Sequence, residues 1–314
     1  PAGGESAPIV DKDAFKAAAK RFAKALQDHP VTSQGLPTYG TDILINIINE
    51  AGGLPTRNFS AGRFEGADKV GGETLHKITV ERKGDPTHGC MRGCIINCSG
   101  IYVDQKGGYV SKWPEYETVW ALGPNCGIDD LDAIARMDRA CDDFGVDTIE
   151  MGAAIGVAME GGLKAFGDAA GAEEILSQVG KGTPLGRLIG SGAGAVGRAF
   201  GVSRIPVVKN QALPAYDPRA VKGVGVTYAT SPMGADHTAG YAVATNIMKV
   251  GGYVDPLVPE GQGKLSGDLQ TATAFIDTAG LCLFVAFPVL DNPDAFTAVV
   301  DMVNAKYGLS LTGD

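Results

Sequence analysis

The sequence predicts a mostly α, multihelical protein of two helical domains with one small β-hairpin. Three observations predict it. Apolar residues recur at helical spacing in many separate stretches, often behind an Asp or Thr that can cap them. Glycine is about twice as frequent as usual, 45 in 314, with no collagen period, which suits tight joints between helices. Only one stretch reads as paired strands.

The elements follow in order. Asp11 can cap a helix running to Asp28, with Phe15, Ala18, Ala19, Phe22 and Leu26 on one face, and His29-Pro30 stops it. Thr41 is placed to cap a second helix, Asp42 to Ala51, closed by Gly52-Gly53. Leu54–Phe59 reads as an extended loop. Residues Gly100–Val110 read as a hairpin, with aromatic and β-branched residues on both sides of Lys106-Gly107-Gly108. Helical patterns resume at Glu115–Leu122, Ile128–Phe144, Thr148–Leu163, Ala172–Val179 and Ala193–Phe200, and later at Leu269–Leu281 and Pro293–Tyr307. Residues Val202–Pro218 hold three prolines and little periodicity, which puts a domain joint near Ile205 and predicts domains 1–205 and 206–314.

Composition excludes several functions. Hydrophobic residues make up 44% and allow a large core, while Lys+Arg 27 against Asp+Glu 36 leaves −9. That balance argues against nucleic acid and against acidic membrane surfaces. No apolar run approaches the roughly 20 residues of a membrane-spanning helix. Pro1-Ala2-Gly3-Gly4 carries neither an initiator Met nor a signal-peptide pattern, so the chain is expected to be cut from a longer, cytoplasmic protein. Gly192-Ala193-Gly194-Ala195-Val196-Gly197 matches the spacing of dinucleotide-binding loops. No convincing strand precedes it and no βαβ series surrounds it, so close helix packing is the expected role.

The most informative stretch is His88-Gly89-Cys90-Met91-Arg92-Gly93-Cys94-Ile95-Ile96-Asn97-Cys98. Three thiols this close can converge on one soft metal, and the remote Cys282 is the candidate fourth. Three local thiolates and one distant thiolate suit a [4Fe–4S] cluster, whereas structural zinc more often uses two CxxC pairs. The second gap, three residues, weakens a radical-SAM reading. On spacing alone zinc and three ordinary buried thiols stay open. Cys126 and Cys141 are expected to be plain buried thiols.

Further segments agree with one family. Leu54–Phe59, the triple-cysteine stretch, Pro114–Thr118, Leu122–Gly127 and Gly234–His237 resemble, in the same order, segments of the aldehyde ferredoxin oxidoreductase family. Two more segments share D-x-x-G-[LV]-[DC]: Asp142–Asp147 and Asp277–Cys282. The resemblance covers residues 35 to 284.

It implies a tungsten or molybdenum ion held by two pterins beside a [4Fe–4S] cluster, oxidation of small aldehydes to carboxylic acids, and ferredoxin or a similar acceptor for the electrons. A homo-oligomer is also compatible. The resemblance makes Cys90, Cys94, Cys98 and Cys282 the cluster ligands. It makes Asp142, Gly145, Asp147, Asp277, Gly280 and Leu281 the pterin contacts, and Glu117 and His237 the proton-handling pair, with Glu115 as fallback. A carboxylate can accept two parallel hydrogen bonds from a pterin's N–H edge, and a glycine lets the backbone approach the ring.

The chain departs from the family pattern in its first cysteine gap, three residues where two is usual. The family's N-terminal β-rich pterin domain is expected to be absent and the C-terminal end shortened, so this piece alone should be inactive. Other substrates on the same cofactor, such as an acid or aromatic thioester, and a non-catalytic iron–sulfur module are the competing functions.

Overall fold

The computed structural model describes residues 7–313; the opening Pro1–Gly4 lies outside them. Helix α1 (Lys12–Asp28) starts where expected, because the Asp11 carboxylate accepts from the amides of Asp13 and Ala14 at 3.1 and 2.9 Å. After Pro30 the chain makes a π turn (Val31–Gly35) into the single turn α2 (Leu36–Tyr39). Helix α3 (Ile43–Glu50) buries Leu44, Ile45 and Ile48.

Two helices that the sequence did not signal come next, α4 (Ala67–Val70) and α5 (Gly72–Glu81). The expected hairpin is present as β2 (Ser99–Val103) and β3 (Tyr109–Lys112), with Ile101 opposite Lys112. Its turn is tied by Asp104, which accepts from the amides of Lys106 and Gly108 at 2.7 and 2.8 Å. A third strand, β1 (Asp85–His88), pairs antiparallel with β2, and the cysteine stretch is the connection between them. Asp85-Pro86-Thr87-His88 has no alternation of apolar and polar residues, so nothing marked it as a strand.

Helices α6 (Tyr116–Leu122), α7 (Leu131–Phe144) and α8 (Thr148–Glu160) form the centre of the molecule. Asp130 and Asp147 cap α7 and α8 through amides of their first turns. Gly152 lets α8 press on α6, since a Cβ there would lie 2.5 Å from the Ala121 carbonyl group. Helices α9 (Ala169–Gly180), α10 (Pro184–Ile189) and α11 (Ala193–Phe200) pack around α8. The Gly192–Gly197 run follows α10, not a strand, and a Cβ on Gly197 would strike Ile205 at 2.5 Å. It serves close packing, as expected.

A two-strand ribbon, β4 (Val207–Val208) with β5 (Gln211–Ala212), leads to α12 (Lys222–Thr230) and the turn α13 (Val243–Asn246). Helix α14 (Gln262–Thr278) begins seven residues before its apolar pattern does, and α15 (Ala286–Asp291) and α16 (Pro293–Tyr307) end the fold.

Buried side chains form two clusters. The larger includes Ile45, Trp113, Trp120, Ile134, Ile155, Tyr216 and Tyr228. The smaller joins α1 to the last helices through Phe22, Leu26, Ile276, Phe287 and Val299, and Arg21 reinforces it by pairing with Asp301 at 2.8 Å. Both draw on residues from either side of Ile205. No helix among the described residues is long and apolar enough to cross a membrane.

Candidate functional site

A cavity of about 340 Å³ lies between α3, α6, α14 and the segment after α12. Its walls are mostly Leu, Ile, Ala and Phe, with Glu115, Glu117, His237, three tyrosines and three threonines among them, and no Lys or Arg among the described residues that line it. Glu117 reaches it from the first turn of α6. One carboxyl oxygen accepts from the Ala215 amide at 2.9 Å, while Tyr116 donates its hydroxyl to the Ala215 carbonyl at 2.8 Å. Two consecutive residues of α6 therefore grip both backbone polar groups of one residue, Ala215. The other oxygen of Glu117 is buried with no protein partner. Burial pushes this acid up to about 8, against the lowering effect of the Ala215 amide.

His237 stands in a turn that Asp236 stabilises by accepting from the Thr238 and Ala239 amides at 2.9 and 3.3 Å. Burial holds the imidazole below its ordinary value, with Asp236 and Asp147 opposing, so the ring is neutral near pH 7. Tyr216 stacks on Tyr116 at 5.3 Å and shares a 2.9 Å hydroxyl contact with Tyr241. The structure thus brings Glu117 and His237 to one cavity, together with a tyrosine wall that no sequence motif marked.

Thr41 departs from its expected role. Helix α3 grows out of a tight turn, Gly40–Asp42, with no side-chain cap. The Thr41 hydroxyl instead accepts from the Tyr116 amide at 2.9 Å and donates to Glu115 at 2.7 Å, which ties down the start of α6.

Beyond the cavity wall at Glu115 lie the thiols. All four cysteines are free: Cys90 and Cys282 exposed, Cys94 and Cys98 half-buried. The connection that carries the first three turns through Gly93 (φ +83°) and Asn97 (φ +51°), and the Asn97 amide donates to the Cys94 sulfur at 3.4 Å. Burial pushes the Cys98 thiol up to about 12, reinforced by Glu115 and by the other three cysteines. Cys282 is raised by burial and then by Cys90, Cys94 and Glu115. The four thiols therefore lie within electrostatic reach of one another. Among the described residues, no three His, Cys, Asp or Glu side chains are drawn to metal-ligand spacing. Neighbouring thiols repel as they ionise, and a cation is what draws such a set together. Four soft donors and an amide aimed at one sulfur fit an iron–sulfur cluster in chemistry.

The two D-x-x-G segments have the same geometry. At the end of α7 the Gly145 amide donates to the Asp142 carbonyl and the Val146 amide to the Cys141 carbonyl, at 3.2 and 3.0 Å. At the end of α14 Gly280 donates to Asp277 and Leu281 to Ile276, at 3.0 and 3.1 Å. Both glycines are left-handed, φ +68° and +70°, with open space where a Cβ would point. Asp142, Asp147 and Asp277 are exposed and Leu281 is half-buried. Each Asp of the motif offers an unburied carboxylate next to accessible backbone, which suits a flat, hydrogen-bonding ligand. Asp147 also caps α8 through the Glu150 amide at 2.7 Å.

Two loop arginines, the other three histidines and Cys126 are engaged elsewhere. Arg57 pairs with Glu65, and Arg219 pairs with Asp217 while donating to the Phe59 carbonyl. Cys126 donates to the Ala121 carbonyl in the core. His29 pairs with Asp291, His88 lies 3.8 Å from Asp85, and His76 meets Tyr39 and Trp113 edge-on.

Fold and site together define a multihelical scaffold that brings four thiols up to a cavity holding a buried acid and a neutral imidazole. Residues 17–314 match the family description "Aldehyde ferredoxin oxidoreductase, domains 2 & 3". The chain belongs to the aldehyde ferredoxin oxidoreductase family. It is 35% identical over 322 residues to the tungsten-containing aldehyde ferredoxin oxidoreductase of Thermococcus kodakarensis, covering 98% of this chain and 51% of that protein. The corresponding Pyrococcus furiosus protein is 35% identical over 328 residues, covering 99% of this chain and 52% of its own. An aliphatic sulfonate oxidoreductase, WOR-like subunit, of the same organism is 25% identical over 244 residues, 70% of this chain and 35% of that protein. The chain spans about half the length of the tungsten-containing relatives.

Proposed function

We propose that this chain is the helical part of an enzyme that oxidises aldehydes to carboxylic acids and passes the electrons through a [4Fe–4S] cluster to ferredoxin. The observation that carries the reading is the meeting of Glu117, with its unpaired oxygen, and neutral His237 in one apolar cavity whose wall adjoins the four thiols. A purely electron-transferring module has no use for such a pair.

The cluster falls to Cys90, Cys94, Cys98 and Cys282. Two pterins would fall to Asp142, Gly145 and Asp147 and to Asp277, Gly280 and Leu281, where the exposed aspartates would accept from pterin N–H groups and the glycines would let the backbone approach the ring. Tungsten or molybdenum held by those pterins would supply the two-electron acceptor. His237, neutral in the cavity, donates its N–H to the aldehyde oxygen and polarises the carbonyl. Glu117 takes a proton from water or from the aldehyde hydrate with its unpaired oxygen, while the Ala215 amide fixes the direction of the carboxyl group. The apolar walls exclude bulk water, which strengthens both interactions.

The test is dye-linked oxidation of simple aldehydes by the intact, metal-loaded protein. Activity that vanishes in Glu117→Gln and His237→Phe, with metal content unchanged, supports the proposal. Full activity in both variants overturns the assignment.

A further inference from the structure

The proposed mechanism asks two things of Glu117: a fixed direction and one free oxygen. The direction comes from a single hydrogen bond, the Ala215 amide to one carboxyl oxygen at 2.9 Å. A terminal carboxyl group turns readily about its last bond, so this contact orients it only as firmly as Ala215 itself is held.

Ala215 lies in an irregular stretch between β5 and α12 and is fully buried. Main-chain bonds anchor the stretch on either side. The Leu213 amide donates to the Pro206 carbonyl at 2.8 Å and the Asp217 amide to the Gly53 carbonyl at 3.0 Å. Between those anchors, the Tyr116 hydroxyl at 2.8 Å is the one donor to the Ala215 carbonyl among the described residues.

Tyr116 and Glu117 open α6, so their side chains leave the helix about 100° apart and reach the two polar groups of one residue. Tyr116 cannot swing away. Its own amide is bonded to the Thr41 hydroxyl at 2.9 Å, and its ring is stacked on Tyr216, which meets Tyr241 edge-on at 5.5 Å. A phenylalanine would fill the same stack, so the hydroxyl is what this position adds. Burial holds the phenol well above its ordinary value, which keeps it a protonated donor through the neutral range.

We propose that Tyr116 is a positioning residue: its hydroxyl fixes Ala215, so that the Ala215 amide holds one oxygen of Glu117 and leaves the other to the reaction. Tyr116 acts only through Glu117. The inference rests on the proposed function, whose assignment of Glu117 it deepens.

An amide bonded to a carboxylate favours the ionised form. Without the hydroxyl, Ala215 loosens and Glu117 loses part of that support, so its ionisation moves to higher pH. The titratable groups facing Glu117 are Asp147, Tyr116, Tyr216, Tyr228 and Tyr241, with Glu115 and His237 in the same cavity. Tyr116→Phe leaves all the others in place, so the shift reports the clamp.

The test is Tyr116→Phe in the intact, metal-loaded protein. The rising limb of kcat should move up by about one pH unit, the worth of one ordinary hydrogen bond, which lowers kcat about tenfold at pH 7. Raising the pH should recover the rate, with KM and iron content unchanged. Tyr116→Phe combined with Glu117→Gln should be no slower than Glu117→Gln alone. Infrared titration supplies a readout without turnover. The carbonyl band that Glu117→Gln removes should titrate at higher pH in Tyr116→Phe. A folded Tyr116→Phe with the limb and the infrared midpoint of the wild type would overturn the proposal, as would a double variant slowed by the product of the single effects. If Tyr116→Phe does not fold, 4-fluorophenylalanine at position 116 fills the hydroxyl's space without donating and carries the same measurements. A protein that oxidises no aldehyde sinks the proposed function, while the infrared midpoint still decides whether Tyr116 governs Glu117.

Discussion

Glu117 sits where a carboxylic acid is expensive to ionise, buried and with one oxygen unpartnered. Its folded-state value of about 8 lies above the ordinary 4.5. Below pH 4.5 both folded and unfolded chains hold the proton, so the group costs nothing. Between 4.5 and 8 the unfolded chain gives up its proton and the folded one keeps it, so stability falls as pH rises and the loss is complete above 8. Glu117→Gln keeps the amide contact and removes the titration. The variant should match the wild type in melting temperature at pH 4 and exceed it by an amount equivalent to a few kcal/mol at pH 8. A constant difference across that range would contradict the assignment. As a base, Glu117 works when ionised, so kcat should climb through pH 8, and Glu117→Gln should lose on the order of 10²–10⁴-fold in turnover. The sequence singled out Glu117 and His237 through their family segments; a lone Glu or His has no local signature. The clamp on Ala215 and the Tyr216–Tyr241 pair were not legible, because they join residues roughly 100 and 25 apart by tertiary packing alone.

At the scale of elements, the helix-ending motifs separate structural from ligand roles. Gly145 and Gly280 hold left-handed conformations with free space around them, so alanine there meets strain and no clash. Gly280→Ala should cost about 1–2 kcal/mol in unfolding free energy, read from denaturant midpoints. Asp277→Asn, at an exposed carboxylate, should change stability by less than about 0.5 kcal/mol. In the intact protein it should nevertheless lower bound tungsten or molybdenum; metal retained at wild-type levels would argue against pterin contact. Capped helices such as α1 and α16 were legible because Asp11 and the Asn292-Pro293 pair announce their starts. Helices α4, α10 and α15 span only four to six residues and show less than two turns of periodicity. Strand β1 owes its existence to pairing with β2 and carries no signal of its own.

For the whole molecule, the main achievement of the fold is to close a long chain on itself. Helix α1 packs on α16, and the cysteine connection between β1 and β2 meets the end of α14, nearly two hundred residues later. Spacing alone left zinc and coincidence open for those thiols; the electrostatic influence of Cys282 on Cys98, and of Cys90 and Cys94 on Cys282, comes from tertiary structure that no local pattern contains. The direct measurement is metal analysis with visible and electron-paramagnetic spectra on the intact protein, made anaerobically with tungsten and molybdenum supplied, beside its Cys282→Ser variant. The account predicts about four iron atoms per chain with tungsten or molybdenum, and a broad iron–sulfur absorbance that bleaches on reduction. Cys282→Ser should show a lost or altered cluster signal. Intact protein without iron, or with zinc in its place, would contradict it.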